Sequence, residues 1–140
     1  MRMFDLKKKF RFRNFRVYID ALVLTKEMRS LARARFPNTE RHRLIDQISR
    51  SSNSIVLNIA EGSERGSDKD FAHYLNMANA SLNEVVACLD IALDEKYLAK
   101  DAHDACLEKA AGLSNQLSAF RMALIHPASN VKGQTSKAQH

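Results

Sequence analysis

The densest set of directional hydrogen-bonding side chains in this sequence falls between residues 47 and 65, where residue type and spacing could support binding chemistry. At 100° per residue, five of these side chains share one helical face roughly 80° wide. A solvated helix face is usually a loose mixture of Lys, Glu and Gln, whereas this face contains no Lys. We call it the polar stripe, and it consists of Gln47, Arg50, Ser54, Asn58 and Glu61.

The polar stripe has two interpretations. In the structural one, Arg50, Asn58 and Glu61 bond to each other or to Arg65 and fix the following turn and a subunit contact. Residues four apart on a helix are neighbours, so such bonds can form. In the functional one, Arg50 and Arg65 bind phosphate, and Asn58 binds sugar or base. The sequence leaves both interpretations open.

The basic N-terminus is a second candidate for binding chemistry. Residues 1–16 hold seven of the 22 Lys and Arg residues against one acid, while the remaining 15 bases meet 15 acids. The net charge of +6 therefore belongs to an arm rather than to the rest of the chain. Phe10-Arg11-Phe12-Arg13 alternates aromatic and basic residues, which suits stacking and phosphate contact on single-stranded nucleic acid. The alternative is a solvated leader. The candidate nucleic-acid-binding residues are Lys7, Lys8, Lys9, Arg11, Arg13, Arg16, Arg50 and Arg65.

Catalytic and metal chemistry have little support in the sequence. Di-iron helical bundles carry Glu-x-x-His on two helices, and this chain offers only Asp70-x-x-His73. Gly62-x-x-x-Gly66 lacks the Lys of a phosphate-binding loop and instead fits a helix cap and a turn. No motif context indicates a Ser-His-Asp or Cys-His nucleophile. We therefore expect a non-enzymatic protein with no catalytic residues, no metal, no cofactor and no small-molecule substrate.

Composition bounds the class of protein. A chain of 140 residues with 45% hydrophobic residues can bury one sizeable core. Cys88 and Cys106 are too few for a disulfide framework and are expected as small buried apolar side chains. No stretch approaches the 18 or so apolar residues that span a membrane. We expect a cytoplasmic protein of a reducing compartment, with no membrane contact.

Hydrophobic periodicity predicts four amphipathic helices. They run over about 14–35, 39–61, 67–97 and 101–125 by the spacing of their apolar residues. Four such helices with short connections favour an all-α fold, an antiparallel up-down four-helix bundle over residues 14–126. A basic flexible arm over 1–13 and a disordered polar tail over 127–140 are expected to flank it.

Local signals predict the ends of these helices. Asn14 is placed as the N-cap of the first helix, whose core side is predicted to include Leu22. Gly62 stands where a left-handed residue would end the second helix. Ser67 begins a capping-box-like start of the third helix, with Asp70 in the fourth place.

The third helix has a second face that is partly apolar. A helix with two such faces needs two partners, and one bundle covers only one of them. We therefore expect this face to form the interface of a homo-oligomer. Its residues are Met77, Ala80, Glu84, Cys88 and Ile91.

The second and third helices resemble the four-helix-bundle proteins encoded in intervening sequences of bacterial 23S ribosomal RNA genes. The resemblance covers roughly residues 14–120 and includes the Phe36-Pro37 break. It implies a bundle that assembles into closed rings, often pentamers, and a similarity to the nucleic-acid-binding accessory proteins of diversity-generating retroelements. The matching residues are Gln47, Ile48, Arg50, Ser54, Ile55, Asn58, Ile59, Ala60, Glu61, Gly62, Arg65, Ser67, Phe71, Leu75, Ala78, Ser81 and Glu84.

Together these observations predict a non-enzymatic, oligomeric helical protein, with a pentamer favoured, that binds RNA or DNA through electrostatics. The alternative is a structural scaffold or adaptor that recognises another protein and binds no nucleic acid. The two hypotheses differ in salt response, because only the first depends on counterion release.

Overall fold

The computed structural model describes residues 9–126, so the predictions for Lys7, Lys8 and the tail over 127–140 lie outside the described residues. Four long helices confirm the all-α four-helix bundle predicted from the sequence. Two short 3₁₀ helices, Arg11–Asn14 and Asn38–Glu40, precede the first and second of them. The long helices are α1 (Arg16–Arg35), α2 (Leu44–Ser63), α3 (Asp68–Asp94) and α4 (Lys100–Ile125).

Helix α3 is the centre of the packing, because it contacts both α2 and α4 along much of its length. Helix α1 packs mainly on α2 and much less on α4. The short connections make successive helices run in opposite directions. The core between them consists of completely buried aliphatic side chains such as Ile48, Ile55, Ile59, Leu75 and Leu89. Among the helices of residues 9–126, none combines the length and the hydrophobicity that a membrane span requires.

The predicted start of α3 is confirmed, and the predicted start of α1 is wrong. Ser67 caps α3, with its hydroxyl accepting a hydrogen bond from the Asp70 backbone N–H at 3.1 Å. Helix α1 begins after Phe15 rather than after Asn14, which belongs to the first 3₁₀ helix. The ring of Phe15 packs against Phe71 and Phe120. Aromatic packing therefore fixes this end of α1 where the sequence predicted a polar cap.

Helix α2 begins at Leu44, five residues later than the predicted Thr39. Glu40 accounts for the difference. One of its carboxylate oxygens accepts from the Leu44 backbone N–H at 3.3 Å, and the other accepts from the Tyr97 hydroxyl at 2.8 Å. This bond to Glu40 raises the pKa of the Tyr97 phenol. Helix α3 ends at Asp94, short of the predicted Tyr97, and Lys96 follows with a left-handed φ of 64°.

Gly62 does not have the role predicted for it. It lies inside α2, and no glycine among the described residues has a positive φ. A Cβ atom built on Gly62 would lie 2.5 Å from the Cβ of Tyr74 and 2.9 Å from the Cδ1 of Phe71. Gly62 is therefore required for the close approach of α2 and α3 rather than for a turn.

The outward side of α1 includes a residue that was predicted to lie in the core. Leu22 was expected in the core but is 45% exposed, beside Ile19 and Val23, which are 45% and 52% exposed. These three residues form an apolar surface on α1 that we call the α1 patch. The prediction failed because Tyr-Ile-Asp-Ala-Leu-Val-Leu offers apolar residues on every side, so periodicity alone does not select the inward one.

Both cysteines are free and buried, as predicted. Burial raises the pKa of the Cys88 and Cys106 thiols. A thiol with a raised pKa is a weak nucleophile, so these side chains serve as small core residues.

Candidate functional site

The polar stripe of α2 faces α3, and its first half bonds to that helix. The Gln47 amide donates to Glu84 Oε2 at 3.1 Å. The Ser51 hydroxyl donates to the same oxygen at 2.9 Å. One turn on, the hydroxyl oxygens of Ser54 and Ser81 are 2.8 Å apart. These bonds join the two helices along their shared groove.

The second half of the stripe forms a local cluster at the end of α2. The Asn58 amide donates to the Ser54 carbonyl oxygen at 2.8 Å. Glu61 accepts from the Tyr74 hydroxyl at 3.2 Å and from the Arg65 guanidinium at 3.5 Å. The Arg65 guanidinium also lies 5.1 Å from the centre of the Tyr74 ring.

Arg50 lines a shallow cleft together with Gln47 and Ser54 but makes no hydrogen bond to the other described members of the stripe. It pairs with Asp46 at 3.2 Å, and its side chain is 72% exposed. It is not brought together with Asn58 or Glu61, whereas Glu61 and Arg65 are paired as the structural interpretation expects. An exposed ion pair contributes little free energy, so Arg50 can exchange Asp46 for another anion. Its proposed contact with phosphate stays a prediction.

The five residues expected at an oligomer interface divide into inward and outward groups. Cys88 is buried in the bundle core, and Glu84 is held by its bonds to α2. Ala80 and Ile91 are exposed, and Met77 is half-buried. Leu57 on neighbouring α2 is 65% exposed and adds to this outward surface, although the sequence analysis did not select it. We call Leu57, Met77, Ala80 and Ile91 the α2–α3 patch.

The described part of the basic arm lies on the bundle. The Arg11 guanidinium donates to the Ser63 carbonyl oxygen at 3.0 Å and lies 5.6 Å from the centre of the Phe15 ring. The Phe12 ring meets the Tyr18 ring edge-on at 4.9 Å. Arg16 pairs with Asp20 at 3.1 Å. Lys9, Phe10 and Arg13 of the arm are exposed.

A second basic site appears at the far end of α1, where the sequence analysis proposed none. An open cleft of about 780 Å³ lies between the last turns of α1 and the start of α2. Arg29 and Arg33 line it from α1, and Arg41 and His42 line it from the connection. Asp46 is the one carboxylate among its lining residues, and it already pairs with Arg50. We call this site the arginine cleft.

The arginine cleft reflects an uneven distribution of charge along the chain. Residues 9–50 hold eleven bases and four acids, a net charge of +7. Residues 51–126 hold six bases and eleven acids, a net charge of −5. Beyond the arm, residues 17–50 hold seven bases and four acids, so the neutrality of residues 17–140 conceals a basic segment of +3 and an acidic segment. A count over successive helices, instead of one sum, would have shown the basic segment but not the cleft.

On the acidic side, His103 joins α4 to α3. Its Nε2 lies 2.8 Å from the Asp90 carboxylate, and its Nδ1 lies 3.0 Å from that of Asp104. Both ring nitrogens can donate only when the imidazole is protonated. The bond to Asp90, and next the bond to Asp104, raise the pKa of His103. Lys100 also pairs with Asp104 at 3.0 Å, so the site is a structural ion cluster.

The described residues offer no evident metal centre. Within residues 9–126, no three His, Cys, Asp or Glu side chains are placed to hold a metal ion. The arrangement is suited to binding anions and to helix packing.

Comparison with known proteins agrees with this architecture. The family described as 23S rRNA-intervening sequence protein matches residues 13–119. No curated protein matches the chain. A crystal structure of a protein with unknown function from the S23 ribosomal protein family of Bacteroides thetaiotaomicron VPI-5482 has a similar fold, with a TM-score of 0.68 and 22% identity. The match covers 75% of this chain and 97% of that one. With its helical motifs and its four-helix bundle, this chain belongs to the 23S rRNA-intervening sequence protein family.

Proposed function

We propose that this chain is a non-enzymatic, oligomeric helical protein that binds RNA or DNA through electrostatic contacts with the phosphate backbone. The observation that carries the proposal is the separation of charge, +7 over residues 9–50 against −5 over residues 51–126. A polyanion is attracted to the basic half and repelled from the acidic half, so the charge distribution orients it. Membership of a family named for ribosomal RNA intervening sequences agrees with this class of ligand.

The side chains in the basic half favour backbone contact. Arg29, Arg33 and Arg41 end in planar guanidinium groups that match two phosphate oxygens at once. Phe10 in the arm is 39% exposed and can stack on a base of any type. Contacts of these kinds depend on charge and on stacking, so we expect weak sequence preference and strong salt dependence.

Binding to ribosomal RNA fragments and to single-stranded DNA at two salt concentrations tests this proposal. If about five bases contact a single strand, the slope of log affinity against log salt should be roughly −3 to −4. Raising the salt from about 50 to 200 mM should then weaken binding by roughly a hundredfold. A chain that begins at Asn14 should keep its helical content and bind more weakly, because it lacks the arm. A slope near zero would contradict the electrostatic mechanism.

The oligomeric part of the proposal rests on two exposed apolar surfaces. The α1 patch lies on α1, and the α2–α3 patch lies on two other helices, so the two surfaces are separate and differ in their residues. A closed ring of more than two subunits needs two different surfaces that meet repeatedly, and a chain with one such surface cannot form it. We propose that these two patches meet between neighbouring copies of the chain, with a pentamer favoured by the resemblance stated above.

Replacing Ala80 by Glu tests this assembly. Ala80 is exposed in the single chain, so the bundle should fold unchanged, but a carboxylate buried without a partner at a subunit contact is costly. We expect sedimentation at micromolar concentration to show an oligomer for the parent and a monomer for Ala80→Glu. Ala105→Glu, at an exposed position on α4, is the matched control and should remain oligomeric. A monomeric parent, or equal assembly of both variants, would contradict the proposed interface.

The alternative function, an adaptor that recognises another protein, has support in the same α1 patch. Three large apolar side chains exposed within five residues are typical of a protein-binding surface. An adaptor would hold its partner with little salt dependence and would not bind RNA or DNA. The binding measurement at two salt concentrations therefore separates the two functions.

A further inference from the structure

We propose that the arginine cleft is the main site at which the bundle holds phosphate groups of a nucleic-acid backbone. This inference rests on the proposed function and names the residues that would perform it. The nucleic-acid-binding residues predicted from the sequence lie in the arm and at Arg50 and Arg65. The cleft residues Arg29, Arg33, Arg41 and His42 form a separate site at the opposite end of α1.

The positions of the arginines follow from the local fold. Arg29 and Arg33 are four residues apart on α1, so their side chains lie one above the other on the same face. The chain then leaves α1 at Phe36, turns through Pro37 and the short 3₁₀ helix, and returns at Arg41 and His42. Two separate elements thus place basic side chains around one cleft.

Charge in the cleft is available for a ligand. Within the described chain, no carboxylate lies within ion-pair distance of Arg29, Arg33 or Arg41, although other arginines pair with acids four residues away. Asp46 is already matched by Arg50. The cleft therefore presents three uncompensated guanidinium groups, and a fourth becomes available if Arg50 leaves Asp46.

Helix stabilisation accounts for only part of this cluster. Arg33 and Arg35 lie in the last turn of α1, where a positive charge interacts favourably with the helix dipole. Arg29 lies before that turn and Arg41 lies outside the helix, so the dipole does not explain them. Arg41 and His42 are both exposed and fill no space in the core. A cleft of about 780 Å³ is also within the range of about 300–1,000 Å³ seen for small-ligand sites.

Fluorescence anisotropy with a labelled 12-nucleotide oligouridylate tests the site in the full chain. The cleft variant Arg29→Gln, Arg33→Gln, Arg41→Gln removes three charges, and a control variant with Lys69→Gln, Lys96→Gln, Arg121→Gln removes three charges elsewhere. We expect the cleft variant to bind about tenfold to a hundredfold more weakly at 50 mM salt, and its log–log salt slope to be shallower by about 2. The control should stay within about threefold of the parent.

Asp46→Asn is a second test, in which binding of the oligonucleotide should become stronger instead of weaker. It removes the carboxylate that lines the cleft and releases Arg50, so binding should strengthen by about two- to fivefold. This variant keeps the test valid if the triple variant loses its helical signal in circular dichroism. Weaker or unchanged binding of Asp46→Asn would contradict the assignment.

The possible outcomes test the cleft assignment and the proposed function independently. If the parent binds the oligonucleotide and the cleft and control variants bind equally well, the cleft is not the site although the proposed function stands. If the parent does not bind at 50 mM salt, both proposals are overturned.

Competition with inorganic pyrophosphate shows whether the cleft binds a nucleic-acid backbone or a small phosphate anion. Displacement at micromolar pyrophosphate would assign the cleft to a small anion, whereas the backbone assignment expects displacement only at millimolar concentration.

Discussion

Gly62→Ala is expected to destabilise the bundle by about 2 kcal/mol, although alanine is the better helix former. The gain in helix propensity is about 1 kcal/mol. Against it stands the overlap of the new Cβ with the Cβ of Tyr74, 2.5 Å away, and with the Phe71 ring. A Cβ is fixed by its backbone and cannot rotate away, so α2 and α3 must separate. Overpacking of this kind costs about 3 kcal/mol, at the upper end of the usual range.

Gly112→Ala is the matched control, since it makes the same chemical change inside another long helix. No atom lies within 4 Å of the Cβ that would be added at Gly112. This variant should gain about 0.5–1 kcal/mol of stability. Urea unfolding followed by circular dichroism, at one protein concentration for all variants, measures the difference. Stabilisation of both variants would show that α2 and α3 can separate without cost at Gly62.

Ser51→Ala and Ser52→Ala should change stability in opposite directions although the residues are adjacent. The Ser52 hydroxyl is completely buried and has no hydrogen-bond partner among the described residues. A buried unsatisfied polar group costs about 1–3 kcal/mol, so removing it should stabilise the bundle by about 1 kcal/mol. Alanine also has the higher helix propensity, which adds to the gain.

Ser51 is also buried, but its hydroxyl donates to Glu84 and accepts from Gln47. Ser51→Ala leaves the Glu84 carboxylate with one donor fewer, and we expect a loss of about 1 kcal/mol. Thermal melts of the two variants beside the parent measure both changes. Stabilisation by Ser51→Ala would mean that the Ser51–Glu84 bond does not contribute to stability, and destabilisation by Ser52→Ala would mean that the buried Ser52 hydroxyl costs nothing.

The helices could be predicted from the sequence because burial imposes their period. Ile48, Ile55 and Ile59 recur at helical spacing, and all three are completely buried. The helix ends were less predictable because contacts from distant parts of the chain decide them. Tyr97 bonds to Glu40 across 57 residues, and Glu40 also accepts from the first backbone N–H of α2. No local signal in either segment contains this information.

Only part of the candidate site could be predicted from the sequence, because only the polar stripe lies on a single helix. The polar stripe was found because one helix presents it, and a period of 3.6 residues is enough to show it. The arginine cleft combines Arg29 and Arg33 on α1 with Arg41 on the following connection. Its formation depends on how the chain turns at Pro37. The sum of charges beyond the arm is near zero, so composition gave no indication of it.

The salt dependence of nucleic-acid binding by the full chain tests the central claim most directly. Affinity for a labelled single-stranded RNA should be measured by anisotropy at several salt concentrations between about 50 and 200 mM. Contact of about five bases of the basic segment 9–50 with a single strand predicts a straight log–log plot with a slope of roughly −3 or steeper. Absence of binding at the lowest salt, or a slope near zero, would contradict an electrostatic nucleic-acid-binding function.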